Sequence, residues 1–160
     1  MNKKLFASIV FLAYLMQGCA SDCQGYYTYN PMNVNQDILD AMDNAAHDIE
    51  SWTGQKIHYV PLDYQPVSCN IVFLHNGEQI PERPAAGGNT GILSQNILIE
   101  VDTVKDYLDF TLEHEILHTQ GFRHVENNNA IMTSMHYEGT QHYWTPEDQA
   151  ECIRVGVCAE

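Results

Sequence analysis

The chain has 160 residues, 44% of them hydrophobic and 18% charged, which suits one folded domain with a proper core and is unlike a disordered chain. Its 21 Asp and Glu against 7 Lys and Arg give a formal net charge of −14, arguing against nucleic-acid binding through phosphate contacts. Beyond the N-terminus no stretch is apolar for long enough to span a bilayer, which excludes a multi-span membrane protein.

Residues 1–18 read as a signal peptide. Lys3 and Lys4 form a positive start, and residues 5–16 form an apolar run of secretory length. Gly18-Cys19 resembles the lipobox of bacterial lipoproteins, although Met16 and Gln17 are poor matches to it. That resemblance makes Cys19 the lipidation site and the only link to a membrane. Ala20 and Ser21 after it, rather than Asp, favour the outer membrane or cell surface. Ordinary cleavage after Ala20 is the competing reading and gives a secreted or periplasmic protein. Either route leaves Cys23, Cys69, Cys152 and Cys158, an even set in an oxidising compartment. Four cysteines allow three pairings. Cys23–Cys69 with Cys152–Cys158 is favoured, because the last two are close in sequence.

Residues 19–33 are polar with a tyrosine cluster (Tyr26, Tyr27, Tyr29) and read as a tether and lead-in to a domain over 34–160. Asn33 or Asn35 is placed to cap a helix running to about Thr53. In it Ile38, Met42, Ala45, Ala46, Ile49 and Trp52 recur at spacings of three and four, and Gly54 ends it. Residues 56–62 suggest a strand broken at Pro61, and residues 69–75 a buried strand. Residues 77–91 are turn-rich, and residues 87–93 could form an edge along which an extended substrate pairs. Residues 96–101 suggest another strand. Thr103 with Asp106 resembles a capping box opening a helix that stops at Gly121. A last helix opens at Thr145-Pro146-Glu147-Asp148, with a cap, a first-turn proline and two acids, and ends at Gly156. The order of elements predicts a single α+β domain.

Residues 114–124 read HEILHTQGFRH. His114 and His118 lie one turn apart on one helix face, so both imidazoles can reach one metal ion. Gly121 permits a positive-φ break, and the chain can then return His124 from another direction. Three neutral imidazoles leave a fourth tetrahedral position on zinc open to water, the catalytic rather than the structural pattern. Zinc brings the pKa of that water toward neutrality, and Glu115 can accept its proton as general base. Five fixed positions in eleven residues make this far more specific than HExxH alone.

With Met132 eight residues on, the sequence resembles the metzincin metallopeptidases, whose signature is HExxHxxGxxH followed by a Met-turn. Ala130-Ile131-Met132 is similar to the Met-turn of the matrixins in local sequence and in distance from His124. The runner-up is Met135, in Ser134-Met135-His136-Tyr137, similar to the SxMHY turn of astacins. More weakly, the order of elements over most of 34–155 follows a matrixin catalytic domain. The resemblance implies a twisted mixed β-sheet with about three helices, the active-site helix carrying HExxH, and a methionine floor beneath the imidazoles. Two departures stand out. Val125 occupies the position after the third His where matrixins usually carry Ser and astacins Glu, and no cysteine-switch motif is present. Asp22 or Cys23 is within reach as a substitute blocking group.

Tyr137 is a candidate hydrogen-bond donor to a tetrahedral oxyanion. His47, His58, His75, His136 and His142 lack metal spacing and read as surface or satisfied core residues. Matrixin likeness raises structural calcium, Ca2+, but no EF-hand loop is present. The expectation is therefore a monomeric, exported or lipid-anchored endopeptidase with one catalytic Zn2+, hydrolysing peptide bonds of a protein or peptide substrate. A non-proteolytic zinc-binding surface protein and a zinc amidase acting on cell-wall peptide are the alternatives.

Overall fold

The structure, a computed structural model, describes residues 23, 25–62, 69–75, 88–90, 96–134 and 140–158. Strands β1 (Tyr26–Tyr29), β2 (His58–Pro61), β3 (Cys69–Leu74), β4 (Gly88–Thr90) and β5 (Asn96–Glu100) form one sheet in the order β2-β1-β3-β5-β4. Four helices accompany them: α1 (Gln36–Thr53), a single turn α2 (Val101–Val104), α3 (Leu108–Thr119) and α4 (Pro146–Val155). The expected α+β class holds. A twisted mixed sheet was expected; β1, β2, β3 and β5 instead pair in parallel, and antiparallel pairing is confined to the three-residue edge β4 on β5.

Residues 26–29 belong to the sheet rather than to a lead-in. Tyr-Tyr-Thr-Tyr is β-prone, and β1 lies between β2 and β3, so it is covered on both edges. Tyr27 and Thr28 are both buried, and the Thr28 hydroxyl donates to the Cys69 carbonyl at 3.1 Å. Its partners are parallel strands distant in sequence, so no hairpin signal marks it.

Helix α1 starts and stops as its sequence predicts. The Asn35 side chain accepts the Ile38 N–H at 3.0 Å, and Gly54 closes the helix in the left-handed conformation at φ 74°. Ile38, Met42, Ala45 and Ile49 make its buried stripe. They join Ile71 and Phe73 of β3, Ile97 and Ile99 of β5, and Leu112 and Ile116 of α3 in one core. Strand β3 alternates buried and half-buried residues, the pattern of a sheet with one covered face.

The helix expected to run unbroken from Thr103 is in two pieces. Helix α2 closes through a turn in which the Tyr107 N–H donates to the Val104 carbonyl at 2.9 Å, and α3 starts at Leu108 without a side-chain cap. Val104 and Leu108, on either side of the break, are both buried in the core. The Thr103–Asp106 pair is therefore not the cap of the long helix. Helix α4 has the cap foreseen: Thr145 and Asp148 form a reciprocal capping box, Pro146 follows, and Gly156 ends it at φ 77°.

Both favoured disulfides form, Cys23–Cys69 and Cys152–Cys158, each with its Cα atoms 5.3 Å apart. They point to folding in an oxidising, exported environment. Chain-entropy arithmetic gives about 4 kcal/mol for the longer loop and about 2 kcal/mol for the shorter. Among the described residues no helix is long and apolar enough to cross a membrane.

Gly25 joins the first disulfide to β1 at φ 78°, and a Cβ there would run into the Lys56 carbonyl oxygen. The Gly25 carbonyl meanwhile accepts the His58 N–H at 2.7 Å, so the backbone cannot retreat without breaking the β1–β2 register. Gly25→Ala is expected to cost roughly 2–3 kcal/mol, from positive-φ strain plus the displaced strand. Denaturant unfolding of the oxidised protein measures it; a loss below 0.5 kcal/mol, on the order of a neutral surface change, would contradict this contact.

Candidate metal centre

Helix α3 is almost entirely interior. From Thr111 to Thr119 every residue is buried except His114 and His118, which are half-buried. Residues four apart share a face, so the single window this stretch opens to solvent is occupied by these two imidazoles. Gly121, at φ 93°, turns the chain out of the helix. The turn is closed by Gly121 N–H donating to the His118 carbonyl at 3.0 Å and Phe122 N–H to the Leu117 carbonyl at 3.2 Å. Phe122 is buried and pins the turn, while His124 is exposed.

The three rings converge. Nε2 of His118 is 3.0 Å from Nε2 of His114 and 3.0 Å from Nε2 of His124, and the remaining pair is 3.2 Å apart. These short separations are not ordinary hydrogen bonds. Nδ1 of His114 faces the Ile131 carbonyl at 2.8 Å, and Nδ1 of His118 faces the Phe122 carbonyl at 2.9 Å. A carbonyl only accepts, so each Nδ1 carries the proton, and each neutral ring offers a bare lone pair at Nε2. Lone pairs brought this close repel unless a cation lies among them. Imidazoles bound tetrahedrally at about 2.0–2.1 Å stand about 3.3 Å apart. The donor set and its spacing fit a metal ion, and the three histidines could hold one.

Electrostatics keep the rings in the ligating form. Burial, helped by the neighbouring His118, drives His114 down to about 3; the Ile131 carbonyl opposes this only in part. Burial likewise lowers His118 below the ordinary imidazole range, again against a carbonyl bond. Both shifts favour the neutral ring that metal ligation requires.

Glu115 follows His114 on α3 and is 6% exposed. Met132 is fully buried in the core cluster that includes Leu112 and Ile116. Its carbonyl accepts the Val125 N–H at 2.8 Å, and Val125 bridges to Thr133, so the residue after His124 is tied to the Met132 turn. Val125, the departure from family pattern, is thus a half-buried packing residue. Met135, His136 and Tyr137 lie outside the described residues, as do Cys19 and Asp22. Cys23 is held in its disulfide, which removes it as a blocking thiolate. Strand β4 lies at the sheet edge, where an edge for substrate was expected. Of the other histidines, His75 bonds the Asn33 carbonyl at 2.7 Å, His58 stacks on Tyr26, and His142 stacks on Phe110 at 4.0 Å.

Two acids lie beside the centre, Asp148, read from the sequence only as a first-turn acid of the last helix, and Glu113. Asp148 is fully buried and accepts the N–H groups of Ile131 at 3.1 Å and Met132 at 2.9 Å. It thereby fixes the peptide whose carbonyl orients His114. Its place three residues after a cap threonine signals only a capping box, and nothing local announces this longer reach. Glu113, before His114, is pushed up to about 9 by burial, with the Asp48 and Asp109 charges and a hydrogen bond with Asp48 adding to it. It is a protonated carboxyl at neutral pH, linking α3 to α1 beside the centre. A cleft of about 370 Å³ opens there, bounded by Trp52, Phe110, Glu113, Ile131 and His142.

No protein-family model matches this chain, and no curated protein matches it in sequence.

Proposed function

We propose that the chain is an exported zinc-dependent endopeptidase, similar to the matrixin branch of the metzincins, carried on the membrane by a lipid at Cys19 or released. The observation that carries this reading is the convergence of three Nε2 atoms within 3.2 Å of one another on an HExxHxxGxxH segment. An all-imidazole donor set suits zinc better than the hard cations magnesium or calcium, which prefer oxygen. It leaves a fourth tetrahedral position for chemistry, unlike a closed structural site.

A bound zinc ion supplies Lewis acidity, polarising a peptide carbonyl and making water a stronger acid. The chain's own residues do the rest. His114, His118 and His124 would hold the ion, the first two fixed in tautomer and direction by the Ile131 and Phe122 carbonyls. Glu115 takes the proton of the attacking water and returns it to the leaving amine. Met132 keeps the floor beneath the rings dry, and β4, the edge strand among the described residues, offers backbone hydrogen bonds to an extended substrate.

Retention of Glu115 favours hydrolysis over mere metal storage, because three histidines suffice to bind. Purified protein is expected to contain about one zinc per chain by elemental analysis. It should cleave an unfolded protein, lose that activity to a chelator and regain it on zinc addition. Full zinc content without cleavage of any peptide bond would establish the zinc-binding surface protein instead. Release of peptide from peptidoglycan, with unfolded protein untouched, would establish the amidase.

A further inference from the structure

We propose that Glu151 and Arg154 of α4 are positioning residues for the third metal ligand, clamping the backbone of the turn that presents His124. This rests on the metal-centre reading above and adds residues that the HExxHxxGxxH motif does not contain.

His114 and His118 are placed by a buried helix, whereas His124 lies beyond that helix, on the turn that follows it. It is exposed, and one residue, Arg123, separates it from Phe122, whose N–H bonds the Leu117 carbonyl of α3. Residues 121–123 lead into it on one side, and Val125, tied to the Met132 turn, follows it on the other. Glycine at 121 permits the turn, and the same freedom leaves the turn's direction to be fixed from outside.

Helix α4 supplies the fixing contacts. Nη2 of Arg154 donates to the Gly121 carbonyl at 2.7 Å. The Arg123 N–H donates to Oε2 of Glu151 at 3.0 Å. The two side chains lock each other: Nε of Arg154 donates to both Glu151 oxygens at 2.9 Å, and Nη2 donates to Oε2 at 2.6 Å. One carbonyl and one N–H, on either side of Phe122, are thus gripped by a bidentate ion pair. Guanidinium and carboxylate are planar, so the grip fixes direction as well as distance. Adjacent to Glu151, Cys152 is buried in the core and bonded to Cys158, so the clamp is mounted on an immobile base.

An exposed i,i+3 ion pair joined to nothing else would contribute little. Here each member also holds backbone within three residues of a ligand. Residues that orient metal ligands from outside typically change affinity 10–100-fold when removed. Asp148 sits one turn before Glu151 on α4 and steadies His114 through Ile131. One helix therefore fixes the centre from both ends.

The test is competition of Zn2+ and Co2+ against a chromogenic chelator, with the visible absorption of the cobalt protein as a report on coordination. Glu151→Ala and Arg154→Ala should each weaken metal binding by roughly 10–100-fold and alter the cobalt band. The double variant should be no worse than either alone. Glu151→Gln, which keeps an acceptor for the Arg123 N–H, should recover part of the loss. In a His124→Ala background, Glu151→Ala should cost nothing further, because the ligand it positions is gone. Undiminished affinity in both single alanine variants, or an equal loss with His124 present and absent, overturns the clamp and leaves the metal centre standing. Failure of the unaltered protein to take up either metal overturns the metal reading and the clamp together.

Discussion

Replacing Glu115 by alanine is expected to lower kcat/KM for an unfolded protein substrate by about 10²–10⁴-fold, the usual contribution of a general base, with zinc content unchanged. The converging donors are the Nε2 atoms of His114, His118 and His124, and Glu115 is not one of them, so its loss leaves the donor set whole. Glu115 is only 6% exposed, so the alanine variant also opens space beside Ile116 and Leu117 in a tightly buried helix. Glu115→Gln separates the two effects, because it keeps the volume and removes the base. Both variants should lose the same activity, and only alanine should lower the melting temperature. Glutamine retaining more than about a tenth of wild-type kcat/KM, an effect below the range for a positioned base, would remove Glu115 from the chemistry.

The parts of this chain that could be read in advance are those whose physics is local. Asn35 and Gly54 bound α1 because a cap and a left-handed exit need only neighbouring residues. Thr145, Asp148 and Gly156 bound α4 for the same reason. The histidine spacing is legible because helix geometry and one glycine turn bring 114, 118 and 124 together within eleven residues. What escaped depends on distant partners. Strand β1 is four residues whose neighbours in the sheet begin at His58 and Cys69. The break between α2 and α3 is a backbone turn, Tyr107 N–H to the Val104 carbonyl, that no cap side chain at Leu108 announces. Glu151 and Arg154 look like any i,i+3 surface pair until the turn at Gly121 is laid beside them. Asp148 reads as a first-turn acid, and its bonds to Ile131 and Met132 cross a separation of 17 and 16 residues.

Asp148→Ala should be the most destabilising single change to the centre's support, costing roughly 3–5 kcal/mol. The carboxylate is fully buried and receives four donors: the N–H groups of Ile131, Met132 and Thr145, and the Thr145 hydroxyl, at 2.9–3.1 Å. Alanine leaves these without their acceptor, at about 1–3 kcal/mol for each buried donor that finds no other. One of the four, the Thr145 N–H, is the Asp148 half of the α4 capping box, while the Thr145 hydroxyl can still accept the backbone N–H of residue 148. The contributions overlap, because relaxation of the turn at 130–132 would rescue some donors at the expense of the His114 bond to the Ile131 carbonyl. That relaxation carries the functional consequence: a variant that survives by loosening the turn should bind zinc more weakly, through His114. Asp148→Asn retains one acceptor oxygen but turns an amide N–H₂ toward groups that themselves donate, so it should fall between wild type and alanine. Denaturant unfolding of the metal-free protein reads the stability, and chelator competition reads the ligand. A loss below about 1 kcal/mol for alanine, less than one buried unsatisfied donor should cost, would show that Asp148 does not hold the Met132 turn.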